Sequence, residues 1–276
     1  MINLQKFIKR FLILINHSFD WYLNKKRKKT FSILFNFRSI LFSLPSRVIF
    51  KNDEYIFSDL SNKNLKRVTT IPSHANISYS NGLVKRAQYM ENVYSLNLIN
   101  FKKGDLVFDC GANVGDLKLW FEYKNIDINY IGFEPGPNEY KSLIKNIYPS
   151  IAHNIGLWNC NEKVEFFISS AFGDSSFIKP QKFTKKITIP SKRLDKFINL
   201  KIKLLKVEAE GAEPEIIEGI GDKLDLIEYI SADLGFERNL ESTFAPVTNY
   251  LLERNFEVIN IYPSRVSVLF RNKSYK

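Results

Sequence analysis

The sequence predicts a doubly wound α/β fold whose seven strands form a mostly parallel sheet, and three observations support this prediction. Apolar runs of strand length alternate with segments of helical periodicity from residue 106 onward. A glycine-containing turn follows the first of these runs. The last two predicted strands are joined at Pro263 and Ser264, a connection too short for a parallel crossover. Together these features predict a Rossmann-like sheet that ends in an antiparallel hairpin.

Each element rests on its local pattern. Seven segments have the composition of strands, namely 106–110, 130–134, 151–157, 204–208, 229–234, 257–262 and 266–270. Helical spacing of apolar residues marks 79–100, 116–123, 138–146, 214–220 and 244–255. A doubly wound sheet with one antiparallel strand in a C-terminal hairpin is typical of S-adenosylmethionine-dependent methyltransferases. Plain dinucleotide-binding folds lack that hairpin.

The turn after the first strand is the predicted cofactor site, because ligands of open α/β sheets bind at the carboxyl ends of the strands. It reads DCGANVGD from Asp109 to Asp116, and its glycines allow a tight turn and a close approach to a ligand. The next strand ends at Glu134, 23 residues after Gly111, where a carboxylate can accept both ribose hydroxyls. The residues predicted to bind the cofactor are Asp109, Gly111, Asn113, Gly115, Glu134 and Pro135.

The spacing of this turn favours S-adenosylmethionine over a dinucleotide. A dinucleotide fingerprint that starts at Gly111 needs glycines at 113 and 116, where this chain has Asn113 and Asp116. An acid at the start of the helix also repels phosphate, whereas the zwitterionic methionine end of S-adenosylmethionine tolerates it.

Four blocks carry a family resemblance: GDLVFDCGANVG at 104–115, FEP at 133–135, RLD at 193–195 and KVEAEGAE at 206–213. Through them the chain resembles the FkbM-type methyltransferases from about Tyr79 to Phe270. The resemblance implies methyl transfer to a hydroxyl, often on a sugar or a secondary metabolite. The family usually has Asp and a β-branched residue where this chain has Glu208 and Ala209, so the acid extends one methylene further.

Charged residues alternate along a strand that should be buried on both faces. Lys206, Glu208 and Glu210 are expected to share one face near its carboxyl end, where burial requires that they pair or open into the cleft. One interpretation makes Glu208 and Glu210 acceptor-side catalytic groups, with His153 as a further candidate. The other interpretation is a structural Lys206–Glu208 ion pair. Asp233 is another cleft candidate.

No metal site is predicted. A sulfonium methyl group is already electrophilic, so the enzyme has to align the acceptor and remove its proton. A magnesium-assisted variant stays open because several carboxylates converge. Cys110 and Cys160 match no zinc-binding spacing and suit a reducing cytoplasm.

The charge distribution suggests three regions. Residues 1–50 hold ten Lys and Arg against one acid, a net charge of +9, and the other 226 residues carry +2. The regions are a basic amphipathic segment (1–44), a β-like extension (45–78) and the methyltransferase domain (79–276). The low charge of the domain argues against a nucleic-acid substrate and favours a small-molecule or glycan acceptor.

The basic segment has two interpretations. Apolar residues recur at helical spacing in two stripes, Phe7, Phe11, Leu14, Ile15 and Phe19, then Phe31, Leu34, Phe35, Leu41 and Phe42. Polar residues interrupt both stripes, so neither predicts a membrane span, and no cleaved signal peptide is expected. The segment either binds an anionic membrane surface, which would place a cytoplasmic protein at the inner face, or packs as a helical cap. A noncatalytic membrane-associated cofactor-binding module is a further alternative.

Overall fold

The computed structural model describes residue 19 and residues 21–169, 175–238 and 240–275. The chain divides into two units, residues 1–86 and 87–276. Helix α3 (Leu83–Val93) contains the point of division. Among the described residues, no helix combines the length and the apolarity that are needed to cross a bilayer.

The first unit is built on a small antiparallel sheet. Its elements are α1 (Lys28–Leu41), β1 (Ser46–Lys51), β2 (Glu54–Asp59), β3 (Lys66–Thr69) and α2 (Pro72–Tyr79), and the strand order is β1-β2-β3. Phe31 and Phe35, one turn apart on α1, are fully buried. Their rings lie 5.2 Å from Tyr55 and 5.3 Å from Phe57 on β2. One face of α1 therefore forms the core of this unit. Phe7, Phe11, Leu14 and Ile15 lie outside the described residues.

The second unit contains the predicted α/β domain. Its strands are β4 (Leu106–Cys110), β5 (Asn129–Phe133), β6 (Ile151–His153), β7 (Gly156–Leu157), β8 (Lys163–Ile168), β9 (Lys185–Lys192), β10 (Ile202–Val207), β11 (Ile227–Asp233), β12 (Phe256–Tyr262) and β13 (Ser267–Asn272). Its helices are α4 (Asp116–Lys124), α5 (Pro137–Asn146), α6 (Glu213–Glu218) and α7 (Phe244–Leu252). Short 3₁₀ turns occupy Leu96–Leu98, Leu194–Lys196 and Gly221–Leu226.

The main sheet has seven strands in the order β12-β13-β11-β10-β4-β5-β6. All neighbouring pairs are parallel except those made by β13, which is antiparallel to both β11 and β12. This arrangement confirms the predicted doubly wound sheet with its antiparallel C-terminal hairpin. The strand order reverses between β4 and β10, so the expected ligand site lies at the carboxyl ends of these two strands.

Several predicted elements were wrong in detail. The predicted strand 151–157 is two strands, and only β6 joins the main sheet. β7 belongs to a second sheet of order β7-β9-β8, whose strands β8 and β9 were not predicted. Their exposed lysines and Pro190 obscure the apolar alternation that marks a strand. The predicted helix 79–100 is also shorter, since Ser95 has a left-handed backbone and the chain continues as a 3₁₀ turn.

The two faces of the main sheet differ in chemistry. Phe108, Cys110, Leu205 and Val207 contribute to a continuous apolar core on one face. Because side chains alternate along a strand, Asp109 and Lys206 point to the other face, where Lys206 pairs in register with Asp109. The described residues therefore place charged side chains inside the protein at the switch point.

Candidate active site

Two glycines shape the turn between β4 and α4. Gly111 has a φ of +74°, and a Cβ added there would lie 1.7 Å from the carbonyl oxygen of Glu208. Gly115 has a φ of +89°, and a Cβ there would lie 2.8 Å from Ile147 Cγ2. Both positions require glycine because the backbone is left-handed and the neighbouring chain is close. The turn is thus packed directly against the segment that follows β10.

Glu134 fastens this turn to the end of β5. It is 7% exposed, and its carboxylate oxygens accept hydrogen bonds from the backbone N–H of Asn113 at 2.8 Å and of Gly136 at 2.6 Å. Burial raises the pKa of Glu134 to about 8, and the nearby carboxylate of Glu139 adds to the rise. The carbonyl of Pro135 accepts a hydrogen bond from Asn154 Nδ2 at 3.2 Å. The acid predicted from the sequence is therefore at the carboxyl edge, beside the glycine turn.

Lys206 links β10 to the glycine turn. Its ammonium lies 3.0 Å from Asp109 Oδ1 and donates to the carbonyl of Gly111 at 2.7 Å. Lys206 and Asp109 are 3% and 1% exposed, and the hydroxyl of Tyr130 also donates to Asp109. Although burial lowers it, the carboxylates of Asp109 and Glu208 raise the pKa of Lys206 above its ordinary value. The Asp109 side chain thus stabilises the turn through its contacts with Lys206 and Tyr130.

Glu208 stands at the carboxyl end of β10 with three donors around it. Arg265 Nη2 donates to Oε1 at 2.7 Å, the Tyr94 hydroxyl donates to Oε2, and Lys206 Nζ lies 3.4 Å from Oε2. Its side chain is 23% exposed, more than the other carboxylates of this cluster. Glu208 is thus a fixed acid that solvent or a substrate can reach.

Arg265 and Tyr94 contact Glu208, although the sequence analysis did not single them out. Arg265 lies in the turn between β12 and β13, and its Nη2 also lies 2.6 Å from Asp233 Oδ2. Burial raises the pKa of Asp233 to about 7, Glu208 adds to the rise, and Arg265 opposes it. The Tyr94 carbonyl accepts a hydrogen bond from Ser231 on β11 at 3.1 Å. The C-terminal hairpin therefore supplies a positive charge to the carboxyl ends of β10 and β11.

Glu210 does not continue the alternation of β10, which ends at Val207. Its backbone is left-handed with a φ of +52°, and its carbonyl accepts a hydrogen bond from Ser176 Oγ at 2.8 Å. The expectation that Lys206, Glu208 and Glu210 line one strand face was therefore wrong for Glu210. The strand geometry that would have aligned the three side chains ends before the first acid.

His153 lies apart from Glu208. It is the last residue of β6, three strands away from β10, or roughly 14 Å at the usual strand spacing. Its ring stacks on Phe133 at 5.2 Å and lies 5.0 Å from Phe197. Phe133 belongs to the apolar face, so the sheet separates His153 from Lys206. Burial lowers the pKa of His153. The structure does not bring this histidine to the acid cluster, which consists of Asp109, Glu208 and Asp233.

The polar groups around Glu134 fit the ribose of S-adenosylmethionine. Glu134 is a buried carboxylate whose raised pKa reflects burial and a second acid, and a ribose diol would add two hydroxyl donors to it. Glu134, the backbone of Asn113 and the glycine turn would hold the cofactor. Among the described residues, no three His, Cys, Asp or Glu side chains converge as a metal site. A cavity of about 370 Å³ lies at the opposite edge, beside Asp105, Asn129 and Ile202.

Fold and site together define an S-adenosylmethionine-dependent methyltransferase. The family model described as the methyltransferase FkbM domain matches residues 109–258. The chain belongs to the FkbM methyltransferase family, which confirms both the resemblance seen in the sequence and the predicted cofactor.

Individual relatives are more distant. Methyltransferase 1 of Beauveria bassiana is 25% identical over 188 residues, which cover 57% of this chain and 74% of the fungal protein. The crystal structure of methyltransferase FkbM from Methylobacillus flagellatus KT is 16% identical, with a TM-score of 0.48. That match covers 66% of this chain and 47% of the other, so the chain spans about half the length of that relative. A putative tRNA (m1A22) methyltransferase of Streptococcus pneumoniae with S-adenosyl-L-methionine is 10% identical, with a TM-score of 0.39, covering 68% and 74%.

Proposed function

We propose that this enzyme methylates a hydroxyl group of a sugar, a glycan or a related metabolite. The observation that carries the proposal is Glu208, an accessible carboxylate at the carboxyl end of β10, held by Arg265, Tyr94 and Lys206. A hydroxyl acceptor needs such a group, because its proton has to leave as the oxygen is methylated.

The residues at the carboxyl ends of β5 and β10 each have a role in this proposal. S-adenosylmethionine, when bound, supplies an electrophilic methyl group. Glu134 accepts the ribose hydroxyls, and Lys206 holds the glycine turn through its bond to the Gly111 carbonyl. Glu208 accepts a hydrogen bond from the acceptor hydroxyl and takes its proton. Glu210 is proposed as a second acid on the acceptor side, where Ser176 fixes its backbone.

The test uses methyl-labelled S-adenosylmethionine with a cell-envelope extract and, separately, with total RNA. The proposal expects label in O-methyl ethers of sugars, stable to mild base, and strong loss of labelling with Glu208→Gln. Label in amine or ester groups would contradict it.

A nucleic-acid substrate is the second candidate, and the charge of the first unit favours it. Residues 1–86 hold sixteen Lys and Arg against four Asp and Glu, a net charge of +12. Nuclease-sensitive label, with substrate binding that falls steeply as salt rises, would establish this candidate instead.

We also propose that residues 1–44 associate with an anionic membrane surface, which would place the enzyme at the inner face of a membrane. The +9 charge of residues 1–50 and the apolar residues among them support this part of the proposal. Binding of the full chain to anionic vesicles tests it, and no binding would overturn it. Because binding needs no turnover, this result is independent of the methylation assay.

A further inference from the structure

Helix α1 is apolar on two opposite faces. Its inner face buries Phe31 and Phe35 in the core of the first unit. Its outer face carries four apolar side chains that are more than half exposed: Ile33 (67%), Phe37 (56%), Ile40 (65%) and Leu41 (55%). These four residues are spaced four, three and one apart, which places them on one side of the helix. We call them the outer face of α1.

An apolar outer face on a two-sided helix indicates a partner. Surface helices usually present polar residues to water, and a helix that is apolar all round is normally covered on both sides. Contiguous exposed apolar patches mark interaction sites more often than single exposed side chains do. The inner face cannot turn outward, because Phe31 and Phe35 are fixed against Tyr55 and Phe57.

The residues that precede α1 add the chemistry of a membrane interface. Trp21 and Tyr22 are 64% and 44% exposed. Lys25 Nζ lies 3.4 Å from the Trp21 ring centroid, and Lys26 Nζ lies 4.2 Å from that of Tyr22. Amphipathic rings at headgroup depth beside lysines are characteristic of segments that bind the interfacial region of anionic bilayers.

We infer that the outer face of α1 is a preformed docking surface for an anionic lipid bilayer, with Trp21 and Tyr22 at headgroup depth. The inference rests on the proposed membrane association and names its surface. The four apolar side chains enter the acyl boundary, and Lys25, Lys26 and Lys29 lie beside the anionic headgroups. Because α1 also forms the core of its unit, the docking surface is a folded element rather than a detachable tail.

Charge complementarity favours a bilayer over other occupants. A second copy placed symmetrically would bring the same lysines together, within a unit of net charge +12. A nucleic acid would satisfy the lysines and leave Ile33, Ile40 and Leu41 without an apolar partner. An anionic bilayer satisfies both groups at once.

The test measures binding of the full chain to phosphatidylcholine vesicles with and without phosphatidylglycerol. One variant combines Ile33→Ser, Phe37→Ser, Ile40→Ser and Leu41→Ser. Its control combines Ile49→Ser, Leu60→Ser and Ile77→Ser, which are equally exposed apolar residues of the same unit. We expect at least tenfold weaker binding for the first variant and little change for the control.

A second pair of variants measures the contribution of the lysines to vesicle binding separately from that of the apolar face. Lys25→Gln, Lys26→Gln and Lys29→Gln together should weaken binding to anionic vesicles by about fivefold per lysine. The same change at Lys51, Lys63 and Lys66, which are exposed in the same unit, should cost clearly less. Quenching of tryptophan fluorescence by brominated lipid, with Trp21→Phe as the blank for Trp120 and Trp158, tests a chain whose outer face and lysines are unchanged.

The outcomes are distinct. Absence of vesicle binding by the full chain overturns both the inference and the membrane association. Normal binding by the outer-face variant, or Trp21 that brominated lipid does not quench, overturns the inference and leaves the membrane association standing. A wild-type dimer that the outer-face variant converts to a monomer, without any vesicle binding, assigns the face to a second copy and also overturns it.

Discussion

The two units carry their charge in different ways. Residues 1–86 have a net charge of +12, and the lysines around the start of α1 are at the surface. Residues 87–276 hold 24 Lys and Arg against 25 Asp and Glu, a net charge of −1. At the switch point of that unit, Asp109, Lys206 and Asp233 are almost fully buried and lie beside opposite charges. The exposed charges of the first unit can attract a charged partner at long range. The buried charges of the second unit interact with groups next to them.

This difference implies that equal substitutions should have unequal effects. Exposed ion pairs contribute about 0 to 1 kcal/mol, whereas removal of one partner from a buried pair leaves an uncompensated charge. We therefore expect larger effects at the buried charges of the second unit than at its exposed ion pairs.

Glu208→Gln should lower turnover by about a hundred- to ten-thousand-fold, because the amide keeps the shape and cannot take a proton. Cofactor affinity should change little. Glu228→Gln is the matched control, since Glu228 pairs with Lys203 on the same sheet at 2.6 Å. Single-turnover kinetics and calorimetry separate the two quantities. Near-native turnover with a lowered melting temperature would make Glu208 structural and direct attention to Asp233, which shares Arg265 with it.

Lys206→Met should lower the free energy of unfolding by about 3 to 5 kcal/mol, because Asp109 would remain buried without its cation. Lys203→Met, on the same strand, removes a pair whose side chains are 15% and 22% exposed and should cost about 1 kcal/mol. Urea unfolding measures both variants. Equal losses would show that burial does not distinguish the two lysines.

Cofactor affinity should rise with pH up to about 8 and then level off. Burial raises the pKa of Glu134 to about 8, so in the cofactor-free protein the Glu134 carboxyl is mostly protonated below that pH. If the ionised form accepts the ribose hydroxyls, binding releases a proton, and affinity falls by at most about tenfold per pH unit below 8. Calorimetry across pH 6 to 9 measures this, and Glu134→Gln should abolish the dependence. A flat wild-type profile would remove Glu134 from the ribose site.

Arg265→Gln should reduce turnover by about tenfold, since Glu208 would lose a contact that orients it. Cofactor affinity should be unchanged, and Arg265→Lys should recover part of the loss. Arg271→Gln is the control, because Arg271 lies in the same hairpin and pairs with Glu257 at 2.6 Å near the surface. Similar turnover in both variants would show that Arg265 does not position the acid.

The sequence predicted most of the local structure around the cofactor turn. The strand predicted at 106–110 matches β4, and the helix predicted from 116 begins at Asp116. Glu134 lies beside the turn, as its spacing suggested, because strand–turn–helix signals act over short distances. Exposed, lysine-bearing strands such as β9 gave no such signal.

The acid cluster could be predicted only in part. Lys206 and Glu208 are two residues apart, and their proximity follows from strand geometry. Tyr94 is 114 residues from Glu208 and Arg265 is 57 residues away, so only the folded sheet brings them together. The structure confirms the ion pair between Lys206 and Glu208 that the strand pattern suggested, at 3.4 Å, and adds a closer pair between Lys206 and Asp109, at 3.0 Å.

Position 111 accepts only glycine, and this restricts where the enzyme can change. A Cβ at that position would lie 1.7 Å from the Glu208 carbonyl, so even alanine would displace the backbone that carries the acid. The glycine turn and the backbone of Glu208 are therefore in direct contact at this point. We therefore expect substitutions that change the preferred acceptor to occur in the surrounding loops, while this contact stays constant.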